Sequence, residues 1–138
     1  MATECTEYPD DSLATGNETI LLVDDEQVII DVARDMLEML GYRVIVAQDG
    51  QHAVDIYTEQ KDEITLVILD MVMPGLSGAD VFQALKAINP KVKVILASGY
   101  IMSRQIAAVM AQGCRAFMSK PYRLEDLAEK IREIIDKA

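Results

Sequence analysis

Five times along the chain a short apolar run is followed by a segment with apolar residues at helical spacing, and this alternation restricts the fold more than any other feature. The first run, ETILLVD (18–24), is almost continuously apolar in its middle, as a strand covered on both faces should be. Residues 27–40 follow with Ile29, Val32, Ala33, Met36 and Leu40 on one helical face, and Gly41 supplies the stop. YRVIVAQ (42–48) predicts a second strand, and Asp49-Gly50 opens a helix that reaches Gln60. LVILD (66–70) predicts the third strand and Ala79 to Ile88 the third helix, ended by Asn89-Pro90. VKVILAS (92–98) and RAFMS (115–119) are the fourth and fifth strands, separated by a helix from Met102 to Gln112 that Gly113 closes. Leu124, Leu127, Ala128, Ile131, Ile134 and Ile135 stripe the last helix.

Strands alternating with helices through short connections give a parallel sheet covered on both faces. Right-handed crossovers then favour an α/β, doubly wound (βα)5 domain, a flavodoxin-like three-layer sandwich with strand order 2-1-3-4-5. The chain of 138 residues suits one such domain, placed at residues 18–138. Residues 1–17, polar, acidic and without period, read as a disordered tail or linker.

Charge narrows the function. The net charge is −10, and the first 26 residues hold eight acidic residues and no Lys or Arg. Such a surface repels phosphate backbones, which argues against direct nucleic-acid binding. No apolar run approaches a membrane span and no basic segment precedes an apolar one at the N-terminus, so a soluble, cytoplasmic chain is expected. Cys5 and Cys114 form neither a metal-spaced pair nor a disulfide framework.

In doubly wound sheets, ligands bind beyond the carboxyl ends of the strands, near the point where strand order reverses. The residues expected there are Asp24, Asp25 and Glu26 after the first strand, Asp70 after the third, Ser98 after the fourth, and Lys120-Pro121 after the fifth. Crowded carboxylates repel one another, and a divalent cation removes the conflict; oxygen-only ligands suit Mg2+. Lys120 and Ser98 supply a cation and a hydroxyl suited to phosphoryl oxygens, and the Asp70 carboxylate can accept a phosphoryl group covalently.

The pieces LLVDDE (21–26), DG (49–50), VILDMVMPGLSG (67–78), ILASG (95–99) and FMSKPY (117–122) together resemble the receiver domain of bacterial two-component response regulators. GNETILLVDDE and ASGY are most similar to receivers attached to hybrid sensor histidine kinases. The resemblance implies that Asp70 is the phosphoacceptor, Asp25 a direct Mg2+ ligand, Asp24 a ligand through water, and the Val72 carbonyl the remaining protein ligand. It implies that Ser98 and Lys120 contact the phosphoryl group, that Phe117 is the switch aromatic, and that the Lys120-Pro121 bond is cis. Its implied partners are a histidine kinase or phosphotransfer protein. The last helix, the fourth helix and the strand between them are the implied output face, where a homodimer would also form. The chain is then a signalling domain catalysing its own phosphorylation and dephosphorylation, not an enzyme with a separate substrate. Val72 and Tyr100, two residues after Asp70 and Ser98, are apolar or bulky where relatives are often polar, which implies slow loss of the phosphoryl group.

Each of these residues has an ordinary structural reading on its own. Asp24-Asp25 could cap a helix, Asp70 a turn, Lys120 could be solvated, and Phe117 could be a core aromatic. Four strand ends carrying ligand-type residues by accident is the less economical account. Two other classes share parts of the pattern. A haloacid-dehalogenase-type, Mg2+-dependent phosphatase needs a second Asp two residues after the first, where Val72 stands. A flavodoxin-like electron carrier needs a Ser/Thr/Gly phosphate cradle after the first strand, where DDEQ would repel the FMN phosphate. His52 and the eight methionines suggest no additional site; Tyr42 and Tyr57 read as packing at the edge of the core.

Overall fold

The computed structural model describes residues 14–99 and 104–137. In chain order the elements are β1 (Thr19–Val23), α1 (Gln27–Met39), β2 (Arg43–Ala47), α2 (Gly50–Gln60), β3 (Ile64–Asp70), α3 (Gly78–Ile88), β4 (Val94–Ser98), α4 (Arg104–Ala111), β5 (Ala116–Ser119) and α5 (Leu124–Asp136). The strands are all parallel in the order β2-β1-β3-β4-β5, the expected doubly wound topology.

The unbroken apolar runs are explained by the two layers they face. Alternate β1 residues, Leu21 and Val23, enter a core packed by α2 and α3, while Ile20 and Leu22 enter a second core packed by α1 and α5. Both faces are covered, so both parities must be apolar. Helix starts follow local chemistry: the Asp49 side chain accepts from the His52 N–H at 2.7 Å at the head of α2, and Ser77 and Asp80 form a reciprocal capping box on α3. At the end of α1, Gly41 takes φ +99°, and a Cβ there would collide with the Gly16 carbonyl.

Several boundaries differ from the sequence expectation. β3 begins at Ile64, two residues early, and β4 begins at Val94 because Val92 N–H closes a turn onto the Asn89 carbonyl. α4 runs from Arg104, and the expected start at Met102 lies outside the described residues, as do Cys5 and Tyr100. Tyr42 and Tyr57 are buried core residues, 3% and 2% exposed, rather than edge packing. Residues 14–17, assigned to the tail by composition, lie against the domain: Ala14 packs on the α1/α5 core and Gly16 N–H donates to the Leu40 carbonyl at 3.1 Å. Short-range composition does not register such a contact, because its partners are distant in sequence.

Candidate functional site

Parallel strands all deliver their last residues to one rim, and near-level register keeps them together. Val23 pairs with Ala47 and with Leu69, Asp70 with Ala97, and Ser98 with Ser119. Asp24 leaves β1 with its N–H on the Ala47 carbonyl at 3.1 Å and is wholly buried. Its Oδ1 accepts from the Glu26 N–H at 3.0 Å, so the pair does not cap α1 in the ordinary way; Glu26 itself is the N-cap, without a side-chain bond. Asp70 and Ser98 end β3 and β4 at 3% and 1% exposure. Lys120 follows β5, its N–H donating to the Ser98 carbonyl at 2.8 Å, and the Lys120-Pro121 bond is cis.

The Lys120 ammonium bridges the two buried carboxylates, 2.7 Å from Asp24 Oδ2 and 3.0 Å from Asp70 Oδ1. Asp24 Oδ2 has no other compensation among the described residues, since no hydrogen-bond donor is aligned on it. Burial pushes the Asp70 carboxyl up to about 6, helped by the Asp24 charge and opposed by Lys120. Burial pulls the Lys120 ammonium down, but its pairing with Asp24 and Asp70 outweighs this and holds its pKa above the usual lysine range. Asp25 is exposed at the same rim, and oxygens of Asp24, Asp25 and Asp70 all lie within 4.8 Å of one another. Such a donor set, oxygen-only and short of positive charge, fits a hard divalent cation.

A cavity of about 620 Å³ opens over this cluster, lined by Asp25, Asp70, Val72, Ser98 and Lys120 together with Glu26, Ile29, Gly99 and Pro121. Val72 is 56% exposed, and its N–H points to Asp70 Oδ1 at a long 3.5 Å. Phe117 is not in this cavity; it is half-buried against the α2/α3 core and borders a second, smaller groove with Arg123 and Lys130. His52 is exposed.

Three contributors escaped sequence reading. Gly78 packs on the acceptor strand, where a Cβ would sit 2.7 Å from the Asp70 carbonyl oxygen; its place in the PGLSG loop was the available signal. Ile29 lines the cavity, and Val32 on the same expected apolar stripe is 47% exposed, because the helix buries Ile30, Ala33 and Leu37 instead. Tyr122, two residues beyond Lys120, is buried with its hydroxyl unpartnered among the described residues, and nothing local in the sequence announces that.

Fold and rim together define a doubly wound domain whose strand ends carry an acidic cluster bridged by a lysine. Residues 20–132 match the family model of the response regulator receiver domain, and the chain belongs to that family, the signalling domains of two-component systems. It is 32% identical over 123 residues to the sensor kinase CckA of Brucella abortus, covering 89% of this chain and 13% of that protein. The chain thus spans a small part of that relative. A response regulator receiver domain protein from Clostridium thermocellum superposes with a TM-score of 0.82 at 33% identity, covering 86% of this chain and 94% of that one. The receiver domain of sensor histidine kinase PA1611 from Pseudomonas aeruginosa PAO1, solved with a magnesium ion coordinated in its active site cleft, superposes with a TM-score of 0.80 at 25% identity. That match covers 88% of this chain and all of the other. Among the described residues no helix is long and apolar enough to cross a membrane.

Proposed function

We propose that the domain at residues 18–138 takes a phosphoryl group from the phosphohistidine of a histidine kinase or phosphotransfer protein onto Asp70, and changes conformation at its output face in response. One observation carries this reading: the Asp70 carboxylate is buried, opens onto a cavity, and has a lysine ammonium 3.0 Å from Oδ1. A carboxylate oxygen of Asp70 attacks phosphorus, the imidazole leaves, and an acyl phosphate forms. Lys120 and the Ser98 hydroxyl then stand beside Asp70 to hold phosphoryl oxygens. Mg2+ held by Asp25, Asp70, the Val72 carbonyl and, through water, Asp24 would neutralise the clustered oxygens. The chain's own residues thereby supply the machinery for gain and loss of the group, as a cytoplasmic signalling domain and not an enzyme of separate substrates.

The partner has a ready docking surface. Val28, Val32 and Met39 lie along the outer side of α1 at 73%, 47% and 66% exposure, and Ile29 beside them lines the cavity. A helical partner seated on that stripe brings a phosphohistidine to the rim. Phosphorylation shifts populations because the phosphoryl favours one arrangement of Ser98, Lys120 and Phe117. The α4–β5–α5 face reads it out, to a partner protein or in a homodimer, with no nucleic-acid contact by this acidic chain.

The test is phosphorylation by acetyl phosphate or a kinase with Mg2+, read by intact mass. The parent gains one base-labile phosphoryl group and Asp70→Asn gains none. Undiminished labelling of Asp70→Asn would remove Asp70 from the role.

A further inference from the structure

We propose that Gly50 and Gly78 are positioning residues: without side chains of their own, they hold the loop of residues 71–77 where Val72 and Asp70 can serve one Mg2+ together. The inference rests on the Mg2+ and phosphoacceptor reading above and assigns that site two further participants.

The two glycines occupy the first positions of α2 and α3, and both are buried. Neither takes a positive φ, so backbone freedom is not what calls for glycine there. Alanine is the better helix former, and something else keeps a Cβ out. The reason is close approach. A Cβ on Gly78 would lie 2.7 Å from both the Asp70 carbonyl oxygen and Met71 Cα, and 3.1 Å from the Met71 carbonyl oxygen. A Cβ on Gly50 would lie 2.7 Å from Leu76 Cβ and from Val81 Cγ2. Gly78 thus bears on the start of the loop and Gly50 on its far end.

The approach at Gly78 is put to use. Its N–H donates to the Met71 carbonyl at 2.9 Å, and the Met71 N–H donates to the Ala97 carbonyl at 2.8 Å. Met71 is therefore pinned between β4 and the head of α3, and it is the one residue between Asp70 and Val72. Val72 lines the cavity but is 56% exposed, and its N–H reaches Asp70 Oδ1 only at 3.5 Å. Its place is set through Met71. On the other side α3 is anchored, with Val81, Phe82 and Leu85 in the core at 0–1% exposure. A Cβ at either glycine therefore pushes the loop away from its seat. Mg2+ demands nearly ideal octahedral ligands, so a small displacement of a ligand-bearing loop costs affinity.

Gly78→Ala and Gly50→Ala test it, with Mg2+ alone as the probe and backbone amide chemical shifts as the readout. Half-saturating Mg2+ should rise about tenfold in Gly78→Ala, the scale of losing a group that orients metal ligands. It should rise less in Gly50→Ala, whose close contacts are side chains. Gly41→Ala is the control: at the opposite end of the strands it forces a Cβ onto the Gly16 carbonyl at φ +99°. That variant should melt below the parent and keep the parent's Mg2+ affinity, as a purely structural role would have Gly50 and Gly78 do. Parent-like Mg2+ affinity in either folded variant would overturn the proposal, and should Gly78→Ala not fold, Gly50→Ala decides alone. Parent-like Mg2+ binding by Asp25→Ala would instead sink the metal reading itself, so the two failures are distinguishable.

Discussion

The two ends of the sheet each carry two carboxylates around one cation, and they behave as opposites. At the carboxyl ends Lys120 sits between Asp24 and Asp70, with side chains 11%, 0% and 5% exposed. At the amino ends Arg132 sits between Glu18 at 2.8 Å and Asp136 at 2.5 Å, with side chains 22%, 23% and 62% exposed. There, bonds from Arg132 offset the burial of Glu18 and hold its carboxyl below the usual range, whereas Asp70 is pushed up to about 6. The lower group is open to solvent and the upper one is closed off from it. The same residue types serve as a latch in one place and as a poised site in the other, and burial makes the difference.

The largest expected effect comes from removing each cation in turn. Lys120→Met strands two buried carboxylates, and breaking such a pair costs about 3–5 kcal/mol. Protonation of Asp70 limits the loss, so we expect about 3 kcal/mol at pH 8 in chelator and clearly less at pH 5, by urea denaturation. Equal losses at the two pH values would mean that Asp70 does not carry the strain.

Next in size is the pH dependence of Asp70 itself. Its folded pKa, about 6, lies above the ordinary 3.8, so the native state binds the proton more tightly. Its contribution is therefore most favourable below pH 4 and is lost as pH rises through 6. Two pK units correspond to about 3 kcal/mol at most. Measured in chelator, Asp70→Asn should gain about 1–3 kcal/mol on the parent between pH 4 and pH 7. A difference that stays flat across that window would place the pKa of Asp70 near its ordinary value.

Metal linkage should follow. Free Mg2+ at ten times its dissociation constant should stabilise the parent by about 1.4 kcal/mol. Asp25→Ala should erase most of that gain at the same concentration, while Glu18→Gln, at the other end, should keep it. Thermal melts with and without Mg2+ decide this; equal loss in both variants would detach the effect from the acidic rim.

The smallest effect belongs to the latch. Arg132→Met should cost about 1 kcal/mol or less, and less again in high salt, because partly solvated pairs contribute little. A loss matching that of Lys120→Met would erase the distinction between the two ends.

Much of this was legible in the amino-acid order because its causes are local or periodic. Continuous apolar runs require strands covered on both faces, helical stripes require crossovers, and parallel strands bring Asp24, Asp70, Ser98 and Lys120 to one rim however the loops run. The tertiary structure alone decided what each group became there. Asp24 and Asp25 are adjacent and chemically identical, yet one is wholly buried and the other exposed. Ala14 and Gly16 read as tail and pack on the domain. Burial and charge pairing sum over contacts between residues far apart in the chain, such as Lys120 with Asp24 or Arg132 with Glu18, and no local window of sequence contains that sum.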